Sequence, residues 1–147
     1  MDGFRCKPKH VDLDRPMLHY RHHLLLCEGQ RCAKAGSKNL AHDLRGVLKA
    51  MGLASGRQRI KISRTMCVGA CRNRATLVIY ERGPDGMYSV NNGQWLRHVE
   101  DLSELQWRAL FRALADNARI TQVIDACYFA VVEDDQTVTS LMRRVAC

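Results

Sequence analysis

Four cysteines arranged as two close pairs are the part of this chain with the clearest chemical meaning. Cys27 and Cys32 are separated by four residues, Cys67 and Cys71 by three, and 34 residues lie between the pairs. Thiolates bind zinc and iron-sulfur clusters, and four of them complete a ligand shell. The chain has seven cysteines, an odd number that argues against a pure disulfide framework. We therefore expect these four residues to bind metal.

The spacing within the pairs favours a 2Fe-2S cluster over a single zinc ion. Each iron of such a cluster needs two thiolates, and a loop of three or four residues can wrap a body larger than one ion. Zinc sites usually use pairs separated by two residues, which form a tighter turn. Gly29 and Gly69 lie inside the pairs, where the absence of a Cβ lets backbone amides approach sulfur. Zinc binding and structural or redox-active thiols remain open alternatives on spacing alone.

The other cysteines are interpreted as ordinary thiols. Cys6 and Cys147 lie near the chain ends, and Cys127 lies in an apolar run, where a buried cysteine behaves as a small hydrophobic residue. His22 and His23 come shortly before the first pair and raise the alternative of a mixed His/Cys site of Rieske type. Neighbouring residues of a strand point to opposite faces, which disfavours that alternative.

Apolar periodicity predicts strands and helices around the cysteines. Strands are predicted at residues 22–27, 59–63, 75–80 and 87–90, the last two as a hairpin. One helix is predicted from the apolar face between Leu40 and Met51, and a second from a capping box at residues 103–106 followed by an apolar face that reaches Leu114. Both cysteine pairs come at strand ends, so their loops could converge at one edge of a sheet.

The order of the predicted elements indicates an α/β protein with a mixed sheet flanked by helices, in which the first two strands are parallel and the hairpin is antiparallel. A length of 147 residues fits one domain with appendages. We divide the chain into a basic N-terminal arm (1–16), a cysteine-bearing domain (17–118) and a C-terminal extension (119–147), whose structure the sequence leaves undetermined.

Charge and hydropathy restrict where the protein is expected to be located and which partners it is expected to bind. The chain carries 23 Lys and Arg against 15 Asp and Glu, a formal charge of +8, which favours an acidic partner. No window approaches the run of about 20 apolar residues that a membrane span needs. The first ten residues are charged and lack the apolar stretch of a secretion signal, so we expect a cytoplasmic protein whose thiols stay reduced.

Residues 23–32 (HLLLCEGQRC) and 65–71 (TMCVGAC), followed by the apolar residues 77–80 (LVIY), resemble the thioredoxin-like 2Fe-2S ferredoxins and the related small flavoprotein-associated 2Fe-2S subunit of respiratory complex I. The resemblance extends from about Arg21 to Ile124. It implies a thioredoxin-like fold, single-electron transfer, a homodimer and one 2Fe-2S cluster held by Cys27, Cys32, Cys67 and Cys71.

Two features depart from the pattern of the free ferredoxins. These proteins often have a longer spacing in the first pair, and the four residues found here are closer to the complex I subunit. The segment 72–75 also lacks the Gly-Pro that often follows the last cysteine. Neither departure removes a ligand.

The expected function is that of an electron carrier that is not itself an enzyme. The first alternative is a zinc-stabilised basic module that binds nucleic acid; it ranks lower because no aromatic residues are interleaved with the basic ones to stack bases. The second alternative is a cluster-bearing subunit of a larger oxidoreductase complex.

Basic residues bracket the four cysteines in the sequence. Four of them, which we call the basic rim, are Arg31, Lys34, Arg72 and Arg74. Electron-transfer complexes are small and transient, and charge complementarity orients them. We therefore expect an acidic redox-partner protein to dock against the basic rim.

Overall fold

The computed structural model describes residues 21–83, 87 and 89–130. The strands are β1 (His22–Cys27), β2 (Ile60–Thr65), β3 (Leu77–Glu81) and β4 (Gln94–Leu96), and the α-helices are α1 (Gln30–Cys32), α2 (Leu40–Ala50) and α3 (Glu104–Ala115). A segment that is kinked at Gly36 (φ 132°), Ala33–Ser37, follows α1. 3₁₀ turns occupy Cys71–Asn73, Val99–Asp101, Ile120–Gln122 and Ala126–Tyr128. The predicted basic arm at residues 1–16, Cys6 and Cys147 lie outside the described residues.

The four strands form one mixed sheet in the order β2-β1-β3-β4. β1 and β2 are parallel, whereas β3 is antiparallel to both of its neighbours. A parallel pair needs a long crossover connection, which α1 and α2 supply here. The predicted α/β architecture, a mixed sheet flanked by helices with its first two strands parallel, is confirmed.

The core lies between one face of this sheet and the helices α2 and α3. Alternate residues of β1 and β3 point to that face, and Leu24, Leu26 and Ile79 are fully buried there. Leu48 of α2 and Phe111 of α3 pack against them in the same cluster. Burying one such side chain contributes about 1.5–3 kcal/mol, so this layer supplies most of the stability that holds the strand ends in place.

The predicted start of α3 is confirmed in detail. The Ser103 hydroxyl accepts the Gln106 N–H at 3.2 Å, and the Gln106 side chain accepts the Ser103 N–H at 2.8 Å. This reciprocal pair satisfies two backbone donors that the first turn would otherwise leave open. Because the cap fixes where α3 begins, it also fixes the end of the segment that connects α3 to β4.

The prediction of a strand at residues 87–90 is wrong. On its outer side β3 pairs with β4, which begins only at Gln94. Met87 and Val90 are 67% and 49% exposed, so the apolar residues that suggested a strand are not buried against the sheet. Residues before Asn91 already run back along β3, since the Ser89 N–H donates to the Glu81 C=O at 3.4 Å, but a turn that ends at Gly93 separates them from β4. Gly93 has a φ of 77°, which favours glycine.

The segment that follows α3 packs back onto the domain as far as it is described. Ile120 and Ile124 are buried, and Phe129 forms an antiparallel bridge with Leu96 of β4. Cys127 is disulfide-bonded, so its interpretation as an ordinary thiol is wrong. Among the described helices, none combines the length and the apolar character needed to cross a membrane.

A buried histidine–carboxylate contact joins β1 to β3 at the end of β1 opposite to Cys27. The His22 Nδ1 lies 2.9 Å from the Glu81 Oε1, and neither side chain is exposed. The other carboxylate oxygen accepts the Asn91 N–H at 3.2 Å. Burial by itself would raise the pKa of Glu81, but His22, Ser89 and the Asn91 N–H together lower that pKa below its usual value. His22 is therefore held by a carboxylate in the core.

Replacing Glu81 with Gln should lower the free energy of unfolding by about 3 kcal/mol near pH 7, because it leaves His22 buried without its charged partner. The folded-state pKa of Glu81 is depressed, so its stabilising effect is complete above the ordinary value of 4.5 and is lost as the pH falls through the folded-state pKa. Urea unfolding should therefore show a difference between Glu81→Gln and wild type that shrinks with acidification.

The matched control is Glu104→Gln, since the Glu104 side chain is 64% exposed and pairs with Arg108 on its own helix. It should change stability by less than about 0.5 kcal/mol. A Glu81→Gln deficit that is the same at every pH would show that the carboxylate charge is not the stabilising feature.

Candidate metal centre

The parallel pairing of β1 and β2 brings the two cysteine-bearing loops together. Cys27, the last residue of β1, is in register with Thr65, the last residue of β2. Glu28 continues the pairing by donating its N–H to the Thr65 C=O at 2.9 Å. Both strands therefore end at the same edge of the sheet, and the predicted convergence of the loops is confirmed.

Gly29 lets the first loop touch the second. A Cβ placed on Gly29 would lie 3.0 Å from the N, the Cα and the Cβ of Cys67, a distance tighter than nine in ten real Cβ contacts. A side chain at this point would require the two loops to move apart by a few tenths of an ångström. The glycine that the sequence placed near sulfur therefore serves first as the site of backbone contact between the pairs.

The first cysteine pair belongs to the protein core. Cys27 and Cys32 are each 2% exposed and are members of the main hydrophobic cluster. The Ser37 hydroxyl donates to the Cys27 C=O at 2.9 Å, which ties the end of β1 to the segment after α1. The Cys27 thiol contacts the second loop through the Met66 C=O at 3.6 Å.

The second cysteine pair lies at the surface. Cys67 is exposed and Cys71 is partly buried, and their sulfur atoms are 3.4 Å apart. The Gly69 N–H points at the Cys67 sulfur over 3.4 Å. Gly69 has a φ of 82°, so a glycine is favoured at the position that aims this amide. Backbone donors of this kind stabilise negative charge on sulfur, as expected from the sequence.

Thr76 connects both loops and was missed by sequence reasoning. Its C=O accepts the Cys27 N–H at 3.0 Å, while its hydroxyl donates to the carbonyls of Ala70 at 3.3 Å and Asn73 at 3.0 Å. The side chain is almost fully buried, and a buried hydroxyl needs such partners. A threonine inside an apolar strand pattern was the only signal available for this role.

Glu100 anchors the segment that follows Cys71 and was also missed. Its carboxylate accepts the Ala75 N–H at 2.9 Å across a separation of 25 residues. The neighbouring His98 side chain lies 3.0 Å from the Arg74 C=O. Neither contact is encoded in a local pattern, because both partners come from the connection between β4 and α3.

The four thiols influence one another electrostatically. Burial raises the pKa of Cys32 to about 11, with the neighbouring Cys27 adding to the effect and a Thr76 backbone hydrogen bond opposing it. The Gly69 N–H, the Cys71 thiol and the charge of Arg31 hold the pKa of Cys67 below its usual value. The hydrogen bond with Cys67, followed by burial, raises the pKa of Cys71.

The donor set fits a cluster held entirely by thiolates. Cys71 interacts with both Cys67 and Cys27, and Cys32 interacts with Cys27, so the pairs are neighbours in space. Within the part of the chain that the structure describes, no group of three or more His, Cys, Asp or Glu side chains meets the geometry of a site for one metal ion. The binding of metal by the four cysteines stays a prediction.

Part of the basic rim surrounds this site. Arg31, Lys34 and Arg74 line a surface depression of about 460 Å³ together with Ala35. The Arg74 guanidinium also donates to the Cys71 C=O at 3.1 Å, so its positive charge lies beside a predicted ligand. Arg72, the fourth member of the rim, is exposed but does not line the depression.

Apolar side chains accompany these charges on the second loop. Met66 is 81% exposed and Val68 is 38% exposed, and they are the immediate chain neighbours of Cys67. Exposed apolar residues inside a charged rim are typical of protein-binding surfaces. Sequence reasoning considered only the charges and overlooked this pair.

Another cavity, of about 430 Å³, lies between α2 and β2, and no cysteine lines it. Arg45 of α2 crosses it and donates to the Ile62 C=O of β2 at 2.9 Å. Charged cover of this kind protects an edge strand from pairing with another chain. We assign this cavity to protection of the sheet edge.

No protein-family model matches the chain, and comparison with curated proteins finds no match. A wild-type thioredoxin-like [2Fe-2S] ferredoxin from Aquifex aeolicus is similar in structure, with 16% sequence identity, a TM-score of 0.49 and coverage of 73% of this chain and 98% of that one. A further structure of a thioredoxin-like [2Fe-2S] ferredoxin from Aquifex aeolicus has 14% identity, a TM-score of 0.48 and coverage of 77% and 96%.

Both structures belong to the family that the sequence resembles, at 16% and 14% identity. The predicted relation to a complex I subunit finds no support in these comparisons.

Replacing Gly29 with Ala should force the two cysteine loops apart, because the new Cβ meets backbone atoms of Cys67 at 3.0 Å. We expect urea unfolding to show a loss of roughly 1–3 kcal/mol, the usual cost of overpacking. The control is Gly46→Ala in α2, where a Cβ meets nothing within 4 Å; this change should stabilise the protein by about 0.5–1 kcal/mol. Equal stability of Gly29→Ala and wild type would show that the loops are not in contact.

Proposed function

We propose that the protein is an electron carrier that holds one 2Fe-2S cluster on Cys27, Cys32, Cys67 and Cys71. The observation that carries this proposal is the convergence of two thiol pairs at one sheet edge, with Gly29 in direct contact with Cys67. Four thiols provide the two ligands that each iron needs. When bound, the cluster supplies reversible one-electron chemistry, and the protein is then not an enzyme in its own right.

The two cysteine-bearing loops hold their thiols in different surroundings. Cys27 and Cys32 hold their thiols at the core side, where nearly all water is excluded. Cys67 and Cys71 present theirs from the solvent side, and the Gly69 N–H stabilises negative charge on the Cys67 sulfur. This division favours a carrier that exchanges electrons through its second loop, because that loop is the part a partner can approach.

The proposal is tested by the metal content and the colour of anaerobically purified protein. Wild type should be brown and contain two irons per chain, and alanine at Cys27, Cys32, Cys67 or Cys71 should abolish or cripple this loading, since one of the two irons then loses a ligand. After reduction with dithionite, intact protein should give the electron spin resonance signal of a half-integer 2Fe-2S centre.

The controls are Cys6→Ala and Cys147→Ala, which should retain two irons per chain. Loss of iron in either control would contradict the ligand set. Colourless protein with one zinc per chain would replace the proposal with the zinc-stabilised nucleic-acid module. Iron-loaded protein without the resonance signal after reduction would exclude the electron-transfer role.

We further propose that the redox partner is an acidic protein that docks on the basic rim, with Met66 and Val68 as its apolar contact. Arg31, Lys34 and Arg74 share one depression beside the second loop, which supports this surface over other basic parts of the chain. A free carrier and a subunit of a larger oxidoreductase complex would use it alike. The homodimer and the cytoplasmic location stay predictions.

A positive field at the site should show in the oxidation rate of reduced protein by small reagents of opposite charge. The rate with anionic hexacyanoferrate(III) should fall between 0.1 M and 1 M salt, because the screening length shrinks from about 10 Å to about 3 Å. The rate with cationic hexaamminecobalt(III) should rise over the same range. Stopped-flow absorbance at the visible bands measures both.

Lys34→Glu should slow the anionic reagent several-fold, since Lys34 lines the depression. Arg57→Glu is the matched control: it changes the net charge equally, but Arg57 precedes β2 at the end opposite to the cysteines. Equal slowing by both variants would show that only the net charge acts and that the basic rim is a solvated surface.

A further inference from the structure

The two cysteine pairs differ in their accessibility to reagents. Cys67 is exposed and Cys71 is partly exposed, whereas Cys27 and Cys32 are each 2% exposed. The sulfur atoms of Cys67 and Cys71 are already in contact at 3.4 Å. A disulfide requires about 2.05 Å, so the sulfurs must approach by only about 1.35 Å.

The loop between the two exposed cysteines can accommodate that approach. Gly69 is the middle one of the three intervening residues, and its surroundings are open, with nothing within 4 Å of a hypothetical Cβ. Val68 is 38% exposed, so moving it disturbs little packing. Neither Val68 nor Gly69 belongs to the core cluster or to a strand, so the approach does not require the core or the sheet to move.

The buried pair has no comparable freedom. Cys27 is held in the sheet by its register with Thr65 and by its N–H bond to the Thr76 C=O. Cys32 closes α1 inside the core cluster. Thiol–disulfide exchange depends on access to the attacked and attacking sulfurs, and here burial denies it.

We propose that, in the metal-free chain, Cys67 and Cys71 form a reversible disulfide by exchange with a low-molecular-weight disulfide, while Cys27 and Cys32 stay reduced. Cys67 is the entry point because it is the exposed thiol, and Cys71 resolves the intermediate because it is in contact with it.

The exchange takes place in two balanced steps. The Cys67 sulfur, as a thiolate, attacks one sulfur of the small disulfide, which forms a mixed disulfide and releases one small thiolate. The Cys71 thiolate then attacks the Cys67 sulfur, which closes the Cys67–Cys71 bond and releases the second small thiolate. Two protein thiols are oxidised, one small disulfide is reduced to two thiols, and the two protons pass to the released thiolates.

This disulfide would act as a gate on loading of the site. It consumes two of the four thiolates, so an oxidised chain cannot provide both ligands to the second iron. In a reducing compartment such a bond is transient and senses redox conditions. The gating consequence rests on the proposed function, whereas the disulfide itself does not.

The sequence provides a direct assay by trypsin digestion. Cleavage after Arg64 and Arg72 yields the peptide 65–72, which contains both Cys67 and Cys71. Cleavage after Arg31 separates Cys27, in peptide 22–31, from Cys32, in peptide 32–34. A bond within the second pair therefore stays inside one peptide, whereas a bond within the first pair joins two.

The experiment uses the full chain, stripped of metal and fully reduced, and then exposed to glutathione disulfide. Free thiols are alkylated before digestion and mass spectrometry. The expected result is a peptide 65–72 that carries no alkyl group and is lighter by two hydrogens, together with alkylated peptides 22–31 and 32–34. In Cys71→Ser, glutathione should remain attached to Cys67, because the resolving thiol is missing.

Cys27→Ser provides the positive control and should still form the bond within peptide 65–72. Full alkylation of that peptide in wild type, or a bond that joins peptide 22–31 to another peptide, would overturn the proposal. Iron loading is measured separately on the reduced chain, so failure of the proposed function is told apart from failure of the disulfide. With both correct, the oxidised chain takes up no cluster until a thiol reductant is added.

Discussion

The parallel pairing of β1 with β2 is the constraint on which the rest of the site depends. Parallel strands point their carboxyl ends the same way, so the loops that follow them must start side by side. The register of Cys27 opposite Thr65 sets that start to within one residue. A slip of one residue would reverse every side chain of the strand and expose Leu24 and Leu26. Core burial and cysteine placement are therefore enforced by the same register.

The site combines two environments that impose different physical demands. The first pair is packed like core residues, where a thiol contributes as a small hydrophobic group and its position is set by neighbouring side chains. The second pair depends on backbone hydrogen bonds, chiefly those that Thr76 donates to the loop and the amide that Gly69 presents. The first pair is therefore rigid, whereas the second pair lies on a loop that can move. This difference allows the second pair to adjust its position around a group that the first pair binds.

Local sequence patterns were sufficient to predict those parts of the fold that depend on a single segment of the chain. The apolar face of α2, the capping box of α3 and the strand that ends at Cys27 were all found from sequence, as was the convergence of the pairs. The partner of β3 was misplaced because exposed Met87 and Val90 imitate a strand pattern. Glu100 and the His22–Glu81 pair could not be predicted, since their partners are distant in sequence and meet only after folding.

The contact between Glu100 and the Ala75 N–H has a consequence for how much of the chain makes up a working unit. All four clustered cysteines lie between residues 27 and 71, yet the anchor of the segment after Cys71 comes from the connection between β4 and α3. A fragment cut after β3 would keep these four cysteines and lose this anchor, together with the α3 side of the core. The cysteine-bearing half is therefore not a portable module: grafting or fusion must carry the chain through α3, whose residues bear no thiol at all.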